Sequence, residues 1–165
     1  MFNTILWATD GSSCSDDALG IVRGLCERSG STLRVVHVVQ QLGGEHFLIP
    51  DEDRVIAKLK AQTSALRRHG IDASLHVIRG AVGSPAGHIA DTARAVDADL
   101  IVVGVRGRSA LASVLLGSVT LRLLTIARCP VLVIRHGKEA VAGETGPVGS
   151  SSAGLMTGTW KATAR

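Results

Sequence analysis

Five short apolar runs alternate with four stretches of helical periodicity along this chain, and that alternation narrows the fold more than any other feature. Ile5 to Ala8 is the first run, and a polar turn, Asp10 to Ser13, follows it. Ala18, Ile21, Val22 and Leu25 then recur on one helix face up to Gly30. Leu33 to Val39 is the second run. A loop with Gly43, Gly44 and Pro50 leads to a helix with Val55, Leu59, Gln62 and Leu66 on one face, ended by Gly70. In the third run Ala73, Leu75 and Val77 alternate with Ser74, His76 and Ile78. Ser84 before Pro85 reads as an N-cap and a first helical residue, opening a helix that reaches about Val96. Asp99 to Val103, Val119 to Ala127 and Val131 to Ile134 complete the series as strand, helix and strand. Pro130 suits the start of a strand at a sheet edge.

Strands separated by helices pair in parallel through right-handed crossovers, so the expected fold is α/β, a five-stranded parallel sheet with helices on both faces. If strands one to three build outward one way and strands four and five the other, the order reverses between strands one and four. Ligands of such sheets bind outside the strand C-termini at that reversal. Asp10 and Gly104 stand at the ends of the two strands concerned.

Composition agrees. At 165 residues the chain makes one domain with a real core. Hydrophobic residues are 45 % of it but aromatics only 2 %, so the core is Val, Ile, Leu and Ala, as in a buried parallel sheet. No apolar run is long enough for a membrane span, and no basic region followed by an apolar stretch opens the chain, so a soluble, cytoplasmic protein is expected. Cys14, Cys26 and Cys129 form no paired motif and suit a reducing compartment. A net charge of +4, scattered arginines and few stacking rings argue against a nucleic-acid surface. Residues 137–165 are rich in Gly, Ser, Ala and Thr without periodicity. They are read as a disordered tail around an apolar island of Leu155, Met156 and Trp160.

Two loops carry the chemistry. After the fourth strand, Gly104-x2-Gly107-x9-Gly117-Ser118 leads into a helix. Glycines there let backbone N–H groups approach an anion, and Ser118 at the helix start is expected to cap free amides where the dipole favours phosphate. Arg106 and Arg108 add charge to the loop. The spacing matches neither a P-loop nor a dinucleotide fingerprint. Opposite, Asp10 at the end of strand one suits ribose hydroxyls or a ligand's polar edge, with helix capping as the alternative. The six histidines show no metal-ligand spacing; His37, within strand two, reads as a satisfied core or edge residue. No nucleophile, general base or paired carboxylates stand out, so no catalytic residue is assigned. Ser12, Ser13 and Ser118 read as caps.

These residues together resemble the universal stress protein family. Its nucleotide-binding branch carries Gly-x2-Gly-x9-Gly-Ser/Thr, matched by Gly104, Gly107, Gly117 and Ser118. The opening Ile5 to Ser12, the run Leu33 to Val39 with His37-Val38, and Cys129 to Ile134 are similar to its first, second and last strands. The likeness covers about residues 2–136, so domain and tail divide as 1–136 and 137–165. It implies a Rossmann-like sheet in the order 3-2-1-4-5 that binds ATP or a related adenine nucleotide, AMP or cyclic AMP included. Mg²⁺ would be held by phosphates and water. By position, Asp10 would face the ribose and adenine, the Val38 backbone the adenine edge, and Ala8 the nucleoside. Gly104, Gly107, Gly117, Ser118 and Val119 would wrap ribose and phosphates, with Arg106 and Arg108 adding charge. The resemblance also implies a homodimer through Val131–Ile134 and a regulatory role in stress response. The alternatives are slow ATP hydrolysis or phosphoryl transfer in the same crevice, and a nucleotide-independent interaction module.

Overall fold

The computed structural model describes residues 2–39, 51–79, 84–105 and 116–135. The residues Arg106, Gly107 and Arg108 and the segment 137–165 lie outside them. Nine elements follow in strict alternation: β1 (Thr4–Ala8), α1 (Ser13–Ser29), β2 (Thr32–Val38), α2 (Glu52–Arg68), β3 (Ala73–Ile78), α3 (Pro85–Ala95), β4 (Leu100–Gly104), α4 (Ser118–Ile126) and β5 (Val131–Ile134). The strands form one parallel sheet in the order β3-β2-β1-β4-β5. The order reverses between β1 and β4, as the family resemblance implies.

Successive residues of a strand point to opposite faces, and the central strands β1 and β4 carry apolar residues on both. Ile5, Trp7, Leu33, Val35, Leu100 and Val102 face α1 and α2, meeting Ala18, Val22, Leu59 and Leu66. Leu6, Ala8, Val36, Ile101 and Val103 face α3 and α4, meeting Ala86, Ile89, Ala93 and Leu123. All five residues of β4 are buried, as its unbroken apolar run requires. Truncating a fully buried core leucine such as Leu6 to Ala costs about 2–5 kcal/mol, because the cavity adds to the lost transfer energy.

Local signals set the element ends. Ser12 is the N-cap of α1 and accepts from the Ser15 N–H. Gly30 closes that helix in the left-handed conformation, its N–H reaching the Cys26 carbonyl. Ser84 caps α3 by accepting from the Gly87 N–H, with Pro85 in the first turn. The capping roles expected of Ser13 and Ser118 are not found. Ser13 opens α1 one residue inside its cap, and Gly117 is the N-cap of α4 with no side-chain cap bond, so Ser118 is the first helical residue. Helix α2 also buries a face rotated from the expected one. Glu52, Ile56 and Thr63 are buried with Leu59 and Leu66, whereas Val55 and Gln62 lie at the margin. On the buried face Glu52 meets His37 of β2.

At the other end of the sheet, the Asp99 carboxylate accepts from the N–H groups of Asn3 (2.7 Å) and Thr4 (2.9 Å), fixing the entry of β1 beside β4. The Thr4 and then the Asn3 bond hold its carboxyl below the usual range.

Candidate functional site

The crevice at the order reversal has two walls. The first begins where β1 runs out. Thr9 still pairs with β2, its N–H donating to the Val36 carbonyl at 2.9 Å. Its hydroxyl oxygen accepts from the Ser15 hydroxyl (2.6 Å) and the Gly11 N–H (3.1 Å). The Asp10 carboxylate accepts from both the N–H (3.1 Å) and the hydroxyl (2.6 Å) of Ser12. Asp10 thus braces the residue that caps α1 and is not itself the cap. Gly11 has φ +77°, and a Cβ there would lie 2.5 Å from Val55 Cγ1, so α2 packs directly on a turn only glycine can make.

Helix α2 grips this turn further. Lys58 donates to the Gly11 carbonyl at 3.1 Å and pairs with Asp16, to which Gln62 also donates. Deeper in, His37 of β2 lies between the Thr9 carbonyl, 2.8 Å from Nδ1, and the Glu52 carboxylate at Nε2. Both side chains of this pair are only 3 % exposed. A carbonyl only accepts, so Nδ1 carries a proton and donates to Thr9. Nε2 meets the Glu52 carboxylate, so both buried polar side chains have partners.

The second wall is built almost wholly from backbone. The Gly104 carbonyl accepts from the buried Thr120 hydroxyl at 2.9 Å. The Gly117 N–H donates to the Val105 carbonyl at 2.8 Å, so the chain leaves β4 and returns to α4 at one point. The first turn of α4 contains no acidic residue, and its leading N–H groups, from Ser118 and Val119 onward, have no helical acceptors. A helix start with these properties fits a phosphate or another anion.

Of the residues singled out in the sequence, Ala8 and Val38 end β1 and β2, Asp10 lies two residues past β1, and Gly104, Gly117, Ser118 and Val119 surround the junction of β4 and α4. Ala8 stands in register with Val36 on one side and Val103 on the other, so both walls meet across β1. Arg106, Gly107 and Arg108 lie outside the described residues. Thr9, Glu52, Lys58 and Thr120 were not legible as site residues. For His37 the signal was its place on the Leu33 and Val35 face of β2, where a polar ring among apolar neighbours needs a partner.

Among the described residues, no group of three His, Cys, Asp or Glu side chains could hold a metal ion. The thiol of Cys26 is pushed up to about 11 by burial and then by Glu27, and burial raises that of Cys129. Neither is a poised nucleophile. No helix among the described residues is long and apolar enough to cross a membrane.

The sequence profile of the universal stress protein family matches residues 1–135. The chain belongs to the universal stress protein family. A universal stress protein of Thermus aquaticus is 34 % identical over 139 residues, covering 82 % of this chain and all of its own. Among solved structures, a universal stress protein in complex with cAMP is 26 % identical with a TM-score of 0.61, covering 81 % of this chain and 97 % of its own. A universal stress protein from Archaeoglobus fulgidus in complex with dAMP is 27 % identical with a TM-score of 0.56, covering 81 % and 98 %.

Proposed function

We propose that this universal stress protein binds an adenine nucleotide, ATP foremost, in the crevice between the β1 turn and the β4–α4 junction, and acts as a regulatory sensor in stress response. The observation that carries the reading is the Val105–Gly117 closure, which brings the end of β4 and the start of α4 together beside β1, the strand that Asp10 follows. Family members of the same fold in complex with cAMP and dAMP support the adenine class. Asp10 takes the ribose and adenine side, the Val38 backbone the adenine edge, and Ala8 packs beside the nucleoside. Gly104, Gly107, Gly117, Ser118 and Val119 wrap ribose and phosphates. Arg106 and Arg108 offset phosphate charge, and Mg²⁺ rides on the phosphates.

Titration calorimetry of nucleotide-stripped protein with ATP, AMP and cyclic AMP, with and without Mg²⁺, tests the reading. Binding of at least one, lost in Gly107→Asp, supports it. Heat from none overturns it, and undiminished binding by that variant removes the phosphate-loop assignment. A bound nucleotide would stabilise the fold by mass action, so melting temperature should rise with its concentration.

The same reading includes a cytoplasmic homodimer through β5. That strand ends the sheet, and the neighbouring α4 exposes Leu121 (57 %) and Leu124 (50 %). Ile101 donates to the Pro130 carbonyl and Val105 to the Ile134 carbonyl, so the Val133 N–H alternates outward, free for a second copy. Val133→Pro should halve the mass seen by sedimentation while leaving the β4–β5 ladder intact; an unchanged mass would exclude pairing through this edge.

A further inference from the structure

The ladder between β1 and β2 stops one rung early. Even-numbered residues of β2 turn their polar backbone toward β1: Thr32 donates to the Asn3 carbonyl, and the Val36 carbonyl accepts from Thr9. The next rung of a parallel ladder would be the Val38 N–H donating to the Thr9 carbonyl. Among the hydrogen bonds of the described residues that rung is not made. The Thr9 carbonyl instead accepts from His37 Nδ1, and His37 is held from behind by Glu52. On its other side β2 continues normally, with Val39 donating to the Ile78 carbonyl.

We infer that His37, locked by Glu52, is a specificity-determining positioning residue that occupies the Thr9 carbonyl and so keeps the Val38 N–H available for the adenine edge of the ligand. The inference rests on the proposed nucleotide site and adds a reason why that site selects its base. A buried carbonyl must find a donor. Without the imidazole, Thr9 would take the nearest one, the Val38 N–H, and the sheet would close the position a ligand needs. The donor also discriminates. Adenine N1 is an acceptor and can receive the Val38 N–H, whereas hypoxanthine carries a proton at N1 and leaves the amide unsatisfied. An unmade bond of this kind corresponds to a preference of about tenfold.

The two buried partners are best removed together, because His37→Leu alone strands the Glu52 carboxylate in the core. Three proteins are compared: wild type, His37→Leu/Glu52→Leu, and Glu52→Gln, whose amide still donates to Nε2 and holds the ring. Amide hydrogen exchange followed by NMR on the nucleotide-free proteins reads the rung directly. The Val38 amide should exchange freely in wild type and Glu52→Gln and become protected in the double variant. Calorimetry with AMP and IMP reads the consequence. A preference of about tenfold for AMP should hold in wild type and Glu52→Gln and fall to near unity in the double variant. A Val38 amide already protected in wild type would overturn the inference. So would equal weakening of AMP and IMP in the double variant, which is what a merely structural pair gives. Wild-type protein that binds neither AMP nor IMP would overturn the ligand role drawn here, whereas the proposed function falls only if ATP and cyclic AMP give no heat either. The exchange pattern would then decide the ladder rearrangement by itself.

Discussion

The two walls of the crevice are made of different materials. The β1 turn is built from side chains: Thr9, Ser12, Ser15, His37, Glu52 and Lys58 each hold a named backbone or side-chain atom, and α2 presses against Gly11. The β4–α4 junction is built from main chain, with the Thr120 hydroxyl and the Gly117–Val105 bond as its supports. Buried side-chain networks fix a turn in one geometry but make it costly to alter. The leading N–H groups of α4, flanked by Gly104 and Gly117, can meet an anion without any buried side-chain network to disturb. The first wall should therefore be the stability-critical one, and the second the ligand-critical one.

Substitutions should separate the walls by size of effect. Glu52→Leu alone leaves His37 without its carboxylate in the core, and a broken buried pair costs about 3–5 kcal/mol in urea unfolding. A cost near zero would show that the pair does not anchor the turn. Gly11→Ala should cost about 1–3 kcal/mol, since the methyl meets Val55 and the backbone stays at positive φ. On the second wall, Thr120→Val should cost only about 1 kcal/mol of stability, the typical net value of one hydrogen bond. Its larger effect should appear in nucleotide affinity, because the Gly104 carbonyl is no longer pinned. If Thr120→Val destabilised the protein as much as Glu52→Leu, the contrast between the walls would fail.

The smallest effect lies at the far end of the sheet and depends on pH. Asp99 is held below its ordinary value of 3.8 by the Thr4 and Asn3 amides. Its contribution is complete above that value and is lost as pH falls through the lower folded value, because the unfolded chain then binds the proton first. Asp99→Asn should lower stability slightly at pH 7 and flatten the acid limb, so that variant and wild type converge below about pH 4, as followed by thermal melts. An acid limb identical to wild type would show that the exposed carboxylate is already screened by solvent.

Reading the walls from sequence succeeded unequally for the same reason. The second wall comes from one short stretch, Gly104 to Val119, so spacing alone pointed to it. The first wall is assembled from residues far apart. His37 meets Thr9 across 28 positions, and Lys58 meets Gly11 across 47. Nothing near Glu52 in the chain distinguishes it from an ordinary acidic residue in a helix's first turn, and its burial emerges only when α2 crosses the end of β2. The seat of Ser118 shows the limit of a short-range rule, since the cap position fell to its neighbour Gly117.

By itself, the sequence determined the alternation of strands and helices and the parallel sheet, because periodicity and turn chemistry are properties of neighbouring residues; the strand order came from the resemblance to a family. Only the tertiary structure decided which face α2 buries, which side chains brace Asp10, and which donor the Thr9 carbonyl takes. Those depend on buried polar atoms finding partners across the fold, and a chain read in order does not show which distant partner comes within reach.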